Sequence, residues 1–395
     1  MGRGRVGYCS AAAPIPELSV SVFMRFCQLK TCRQVPGCSA GLRRGLSGVV
    51  FLIALTLTAA QSAPAAGLSD CRAVETSLSS CPAACPVPAE VWAVSTRRLP
   101  GICGLPATAH PGVERYDGSS RRWLPADLGG IVAGEQPLVI FIHGNRYDPC
   151  SAKRQGLQLA RRCAGLCGPA NAQTLVYSWP SQQDGRLLKD GRSKYRRCYT
   201  EGYYLAWLLG QLAPDRPVVF VGYSFGALIT LEALDNLLTA EAAGLPVSPW
   251  RQRPGETRLV FIAPAVRCDA FAPCGPYRET LDCVDCLSLT INSRDDALRF
   301  FHLLDRYTKV DALGHTGMPQ RWVPAEVAYS AVDARRIVGR EHGFPLYLRS
   351  TTLMRRICGD SYGTALDLQA AEPPPAAPLE AAEAQRPRPS RWAAR

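Results

Sequence analysis

Ser224 lies between two glycines in Gly222-Tyr223-Ser224-Phe225-Gly226, with the apolar run 217-PVVFV-221 before it and a helical pattern after it. A serine on a tight strand-to-helix turn is held in a strained backbone conformation with its hydroxyl pushed out of the fold. The flanking glycines, lacking a Cβ, let strand and helix approach closely. The amide of Phe225 then falls at a helix start, where it faces developing negative charge. The segment predicts a serine nucleophile; the plainer reading is a glycine-rich turn with an idle hydroxyl.

A serine hydroxyl is a weak nucleophile. It needs a base, and the base needs a carboxylate to orient it. After such an elbow the acid and then the base follow in chain order. The acid belongs just past the second strand after Ser224, where 291-INSRDDALRF-300 offers Asp295 and Asp296. Asp295, nearer the strand end, is favoured; Asp296 reads as a helix N-cap or first-turn residue, favourable there without catalysis. Of the histidines, His110 and His143 precede the elbow and His302 falls on a helical pattern. His342, in 340-REHGFPLYL-348 just before a last helix, is favoured as base, with His315 in Gly314-His315-Thr316 as the alternative. An oxyanion hole needs two donors. One is the Phe225 N–H; the other is expected from 143-HGNRYD-148, where Gly144 allows a sharp turn and Asn145 N–H can point inward. His143 is expected to support that loop. Arg146 and Tyr147 are expected at the pocket mouth, gripping substrate or merely solvated, with Tyr223 beside them. Tyr147, Trp179, Tyr223 and Phe225 together suggest an apolar rim, although Trp179 is equally a core residue.

Positioning these groups takes a sheet. Strands are expected at 90–96, 137–145, 174–180, 217–221, 258–264 and 287–293, and 113–125 reads as a strand pair or a loop. Helices are expected at 152–166 with Ser151 as cap, at 200–213, after Ser224, at 296–306 and near 346–357, with a loop reaching about residue 335. Strands apolar throughout, alternating with helices, specify an α/β fold: a doubly wound, mostly parallel sheet with helices on both faces.

The 395 residues suffice for one large domain with appendages. Residues 1–66 read as an N-terminal extension and signal peptide: Arg43-Arg44, the apolar run 48-GVVFLIALTLTAA-60, then small residues with Ala63-Pro64-Ala65 as a cleavage site. Met24 is an alternative start, and an uncleaved anchor is the alternative reading. Asp70 before Cys71 argues against lipid attachment. Residues 67–89 form a Cys/Pro-rich arm, 90–363 the main domain, and 364–395 a Pro/Ala-rich tail too poor in apolar residues to fold. The formal charge of +12 invites a nucleic-acid reading. Seven basic residues and one acid of that balance lie in residues 1–66, however, and the remaining arginines are scattered, so no nucleic-acid partner is expected. Seventeen cysteines point to an oxidising compartment, periplasmic or secreted. Cys283 and Cys286 are read as disulfide partners, because histidine is scarce and no second matching pair makes a zinc site, with metal binding as the alternative. No metal or cofactor is expected. Membrane contact is expected only if the N-terminal segment stays uncleaved, and oligomeric state is not legible.

These segments together resemble an α/β-hydrolase. More narrowly, the chain is similar to an uncharacterised, esterase-like bacterial group, through 143-HGNRYD-148, 179-WPS-181, 222-GYSFG-226, 293-SRDDAL-298 and 342-HGFPLY-347. The resemblance covers about residues 90–358 and implies Asp295 as the acid. Cysteine-rich insertions at 163–167 and 265–286 depart from the group. The expectation is an exported serine hydrolase of esters or thioesters, with Ser224, His342 and Asp295 as triad. The alternatives are a non-catalytic exported binding or envelope protein on the same fold, or an acyltransferase or peptidase using the same triad.

Overall fold

Runs of apolar residues without alternation become the middle of a sheet. In the computed structural model, which describes residues 90–101, 110–167, 171–245, 247–304 and 309–367, β4 (Leu138–Ile142), β5 (Gln173–Ser178) and β6 (Val218–Tyr223) are buried at every position. Such strands have no solvent face and must be covered on both sides. They are joined by β1 (Glu90–Ser95), β2 (Gly112–Asp117), β3 (Arg122–Pro125), β7 (Thr257–Ile262), β8 (Cys286–Ile291) and β9 (Ala328–Asp333). Among the described residues these form one sheet in the order β3-β2-β1-β5-β4-β6-β7-β8-β9. From β1 to β9 every pairing is parallel; β2 and β3 add an antiparallel hairpin at one edge, so 113–125 is the strand pair.

The helices are α1 (Gly129–Val132), α2 (Pro149–Cys167), α3 (Leu187–Leu209), α4 (Phe225–Ala242), α5 (Asp296–Arg299), α6 (Leu313–Thr316), α7 (Arg335–Val338), α8 (Phe344–Arg349) and α9 (Thr351–Asp367). α4 packs on β4, β6 and α3, while α2 packs on β5 and α9, and α9 reaches β6 and β7, which gives the two helical layers of a doubly wound sheet. α4 is apolar nearly all round, as a helix between a sheet and another helix must be. Truncating one of its buried leucines to alanine costs roughly 2–5 kcal/mol. This is a sheet of the α/β-hydrolase type, with the crossover after β6 carrying Ser224.

Five expectations about these elements need correction. α3 begins at Leu187, not near 200. Its first half is charged and conceals its helical pattern, but Asp190 and Lys194 are buried there and partnered. The helix expected over 296–306 stops at Arg299, and a 3-10 turn, Phe301–Leu303, swings Phe301 inward to 5.9 Å from Tyr195. The last helix is two, α8 and α9, broken at Ser350 (ψ 109°), and α9 runs past residue 363 to Asp367. β9 lies inside the expected loop; at the sheet edge it is half-exposed, so its apolar content is low. Asp148 rather than Ser151 caps α2, accepting from Ser151 N–H at 2.9 Å and Ser151 Oγ at 2.7 Å. Residues 1–89 lie outside the described residues, so the signal peptide and the cysteine arm do too, as does the tail beyond Asp367.

The disulfide Cys163–Cys358 ties α2 to α9 across 195 residues of sequence. Cys283 and Cys286, expected as a pair, are both free thiols. Cys283 closes a 3-10 turn, its Sγ against Thr280 O, and Cys286 starts β8, so the two belong to separate elements.

Candidate active site

The turn from β6 into α4 sets Ser224 at φ 54°, ψ −117°, a left-handed conformation costly for a residue with a side chain. The surroundings impose it. Ser224 N–H donates to Ile262 O at 2.9 Å, and Ser224 O accepts from Ala227 N–H (3.2 Å) and Ala265 N–H (3.1 Å). A Cβ at Gly226 would fall onto the Ile142 carbonyl, and one at Gly222 would come 2.8 Å from Ala227 N. The steric reading of the two glycines therefore holds: helix and strand approach as closely as backbone permits. Phe225 opens α4, so its N–H has no intrahelical acceptor.

Ser224 Oγ lies 2.9 Å from His342 Nε2, and His342 Nδ1 lies 2.7 Å from Asp295 Oδ2. The buried carboxylate oxygen can only accept, so Nδ1 carries the hydrogen and Nε2 accepts from the serine hydroxyl. Ser224 and Asp295 are buried, while the His342 side chain keeps 23% exposure, leaving one edge open to solvent. Asp295 extends from the end of β8. Its Oδ1 caps α5, accepting from Ala297 and Leu298 N–H, both at 3.0 Å. The cap that the sequence offered to Asp296 thus belongs to Asp295. Asp296 instead binds the loop that carries His342: its N–H donates to Arg340 O (3.1 Å) and its Oδ2 accepts from Arg340 Nε (3.0 Å). Asn292 Nδ2 donates to Gly339 O in the same loop, at 2.9 Å. Tyr223 Oη donates to the His342 carbonyl, and its ring lies 5.4 Å from the imidazole and 5.0 Å from Phe344. Phe344 is buried against Phe141 of β4 at 5.0 Å. A histidine on a loop is thus held by bonds on both sides and by a plug of aromatic packing.

The loop after β4 runs directly over the serine. A Cβ on Gly144 would lie 2.9 Å from Ser224 Cβ and 2.9 Å from Tyr223 Cε1. His143 beneath is fully buried, and burial, reinforced by the Arg97 charge, lowers its pKa to about 3. Its Nε2 faces two donors, Trp179 N–H at 3.3 Å and Arg97 Nη2 at 3.4 Å, so Nδ1 bears the hydrogen and donates to Gly144 O at 2.9 Å. The carbonyl and amide of one trans peptide point in opposite directions. With Gly144 O turned to His143, the Asn145 N–H points to the other side of that peptide. The next amides are tied away, Arg146 N–H to Ser181 O (2.7 Å) and Tyr147 N–H to Ser181 Oγ (3.1 Å). The Asn145 side chain is anchored in turn by buried Asp190 of α3, whose Oδ2 accepts from Nδ2 at 3.2 Å.

Sequence reasoning missed Asp190, Asn292 and Arg97. Only an acid inside a helical run (Asp190) or a polar residue ending an apolar strand (Asn292) hinted at them. Of the expected substrate-binding residues, Arg146 has its side chain 43% exposed, 3.9 Å from Asp190, on a backbone at φ 65°. Tyr147 and Tyr223 are buried, as are Trp179 and Phe225, so the expected aromatic rim is instead a floor under the site. His143 stacks on Trp179 (5.7 Å) and neighbours Tyr147 (5.1 Å). His315 sits on α6 with Nδ1 buried and unpartnered, and bonds neither Ser224 nor Asp295. Among the described residues no cluster of His, Cys, Asp and Glu is arranged to hold a metal ion.

A hydroxyl hydrogen-bonded to an imidazole that is backed by a buried carboxylate can lose its proton as it attacks a carbonyl. No protein-family model matches this chain, and no curated protein matches it in sequence. Solved structures similar to it include esterase B from Lactobacillus rhamnosis in two inhibited forms. The C6-C4 SN3 form shares 16% identity over 72% of this chain and 90% of that one, with a TM-score of 0.35. The form described as inhibited by C4-C4 SN3 tributyrin phosphonate shares 16% over 73% and 91%, with a TM-score of 0.32. Likeness at this level leaves the reaction to be read from this chain's own residues.

Proposed function

We propose that the chain is an exported serine hydrolase of carboxylic esters or thioesters. The observation carrying this reading is the line Ser224 Oγ, His342 Nε2, His342 Nδ1, Asp295 Oδ2, with contacts of 2.9 and 2.7 Å, at a strained residue on a helix start. Ser224 Oγ attacks the carbonyl carbon and passes its proton to His342 Nε2. The oxyanion is held by the amides of Phe225 and Asn145. The imidazolium, oriented and stabilised by Asp295, returns the proton to the departing alcohol or thiol as its bond to carbon breaks. Water, deprotonated by His342, then attacks the acyl group, and the acid leaves as Ser224 regains its proton. Each oxyanion donor is worth roughly 3–4 kcal/mol of barrier.

Export is supported by the N-terminal pattern and by the Cys163–Cys358 bond, which persists in an oxidising compartment. Labelling exported protein with a fluorophosphonate probe tests compartment and nucleophile together. Labelling is expected on Ser224 and is lost in Ser224→Ala; labelling that survives this substitution, or none in the unaltered protein, refutes the reading.

A further inference from the structure

Seven large apolar side chains are conspicuously exposed among the described residues, and five of them, Leu187, Leu188, Tyr199, Phe300 and Leu303, fall on two segments that meet. The first is the N-terminal half of α3 and the second follows α5. Arg192 Nε donates to Leu303 O at 3.0 Å, a Cβ on Gly191 would come 2.9 Å from Leu304, and the Tyr195 ring lies 5.9 Å from Phe301. Positions 188, 192, 195 and 199 recur at helical spacing, so they form one face of α3 against residues 300–304.

α3 joins the candidate site at two points, Tyr195 on that face and Asp190 on the opposite flank of the helix. Asp190, two and three residues after the exposed leucines, holds the Asn145 side chain. Tyr195, one turn on, lies 6.2 Å from the ring of Phe225, the residue after the nucleophile. α3 therefore contacts both residues whose amides are assigned to the oxyanion hole, and its apolar shoulder flanks Tyr195, the residue that meets Phe225. Scattered exposed leucines are ordinary, but a cluster of this kind marks a contact surface.

Resting on the serine-hydrolase reading, we infer that the shoulder formed by Leu187, Leu188, Phe300 and Leu303 receives the acyl chain, which makes esters of medium-length aliphatic acids the substrate class. The carbonyl carbon bonded to Ser224 has its oxygen directed to the Phe225 and Asn145 amides, and an unbranched chain leaving it toward α3 passes from the buried Phe225–Tyr195 pair onto the exposed leucines. A substrate chain, rather than a membrane or a second copy, fits this face because it is continuous, through Tyr195, with Phe225 beside the nucleophile. Each methylene fully withdrawn from water contributes about fourfold in affinity, so a partly covered chain still gains visibly from added length.

The test compares inactivation by O-ethyl 4-nitrophenyl phosphonates carrying methyl or octyl on phosphorus, followed by 4-nitrophenolate release. The octyl compound is expected to react about tenfold faster or more. Leu187→Ser/Phe300→Ser, and separately Leu188→Ser/Leu303→Ser, should cut the octyl-to-methyl ratio several-fold; these are exposed positions where substitution leaves folding intact. Leu124→Ser, an exposed leucine on β3, should keep the ratio. If both compounds modify Ser224 at similar rates, or the ratio ignores the serine pairs, the shoulder does not hold the chain and only this inference falls. If the pairs instead change vesicle binding or self-association while the ratio stays, the shoulder meets a membrane or a second copy and the inference is again refuted. If neither compound modifies Ser224, the hydrolase reading fails and takes this one with it.

Discussion

Asp295 divides its carboxylate between His342 and a helix: Oδ2 takes the Nδ1 hydrogen of His342 at 2.7 Å, while Oδ1 caps α5 through two amides at 3.0 Å. The cap fixes the carboxylate, and the fixed carboxylate fixes the imidazole. The two tasks are separable by substitution. Asparagine is as good a cap as aspartate but can present an N–H to Nδ1 and so favour the wrong tautomer. Asp295→Asn is expected to lower kcat by about 10⁴ with little change in the denaturation midpoint. Asp295→Ala should lose activity similarly and also about 1 kcal/mol of stability. Ester hydrolysis and urea denaturation of the two variants check this.

Gly144 is expected to be intolerant for a reason local to Ser224. An alanine methyl there would stand 2.9 Å from both Ser224 Cβ and the Tyr223 ring, closer than packed carbons come, so one of them must move. A displacement of about 1 Å at a reacting group costs on the order of 100-fold. Gly144→Ala should therefore lower kcat by roughly that factor while leaving a cooperative unfolding transition.

His143 gives a stability effect with a defined sign. Its pKa is about 3 in the fold, against 6.5 for an ordinary histidine. Below pH 6.5 the unfolded chain binds a proton that the native state refuses, so native stability is complete above that pH and falls as pH is lowered toward 3. The slope is about 1.4 kcal/mol per pH unit within that window. Replacing the side chain by a neutral amide removes the term: the denaturation midpoint of His143→Gln should fall less between pH 6.5 and 4.5 than that of the unaltered protein. Equal slopes would show that His143 is not held neutral.

The disulfide closes 195 residues of chain and sits at the junction of α2 with α9, directly after the helix that follows His342. Removing a bond of this kind costs about 2–5 kcal/mol. Cys163→Ser and Cys358→Ser should each lower the midpoint by a similar amount, and the double substitution should lower it no further.

Much of the site was legible because its chemistry is written in short segments. Gly222-Tyr223-Ser224-Phe225-Gly226 carries its own steric logic, and the apolar strand before it has no other place than the sheet centre. The choice between Asp295 and Asp296 rested on distance from a strand end, and the two neighbours proved to do different work, one facing the imidazole and the other holding Arg340. Less was legible where charge conceals structure. The first half of α3, rich in lysine and arginine, reads as loop, yet Asp190 within it is buried and anchors Asn145. β9, half-exposed at the sheet edge, lacked the apolar run that announced its neighbours. The aromatic residues near the elbow suggested a rim because their type fits one; packing placed them beneath the site.

Residue order alone determined the alternation of buried strands with helices, the strained serine and the chain order of acid and base candidates, because each depends on neighbours a few positions apart. The meeting of Ser224, Asp295 and His342 was decided by tertiary structure, as were the turn of the Gly144–Asn145 peptide away from His143 and the apolar shoulder of α3. These depend on parallel strands whose register is set by burial across the whole sheet, and no local segment contains that information.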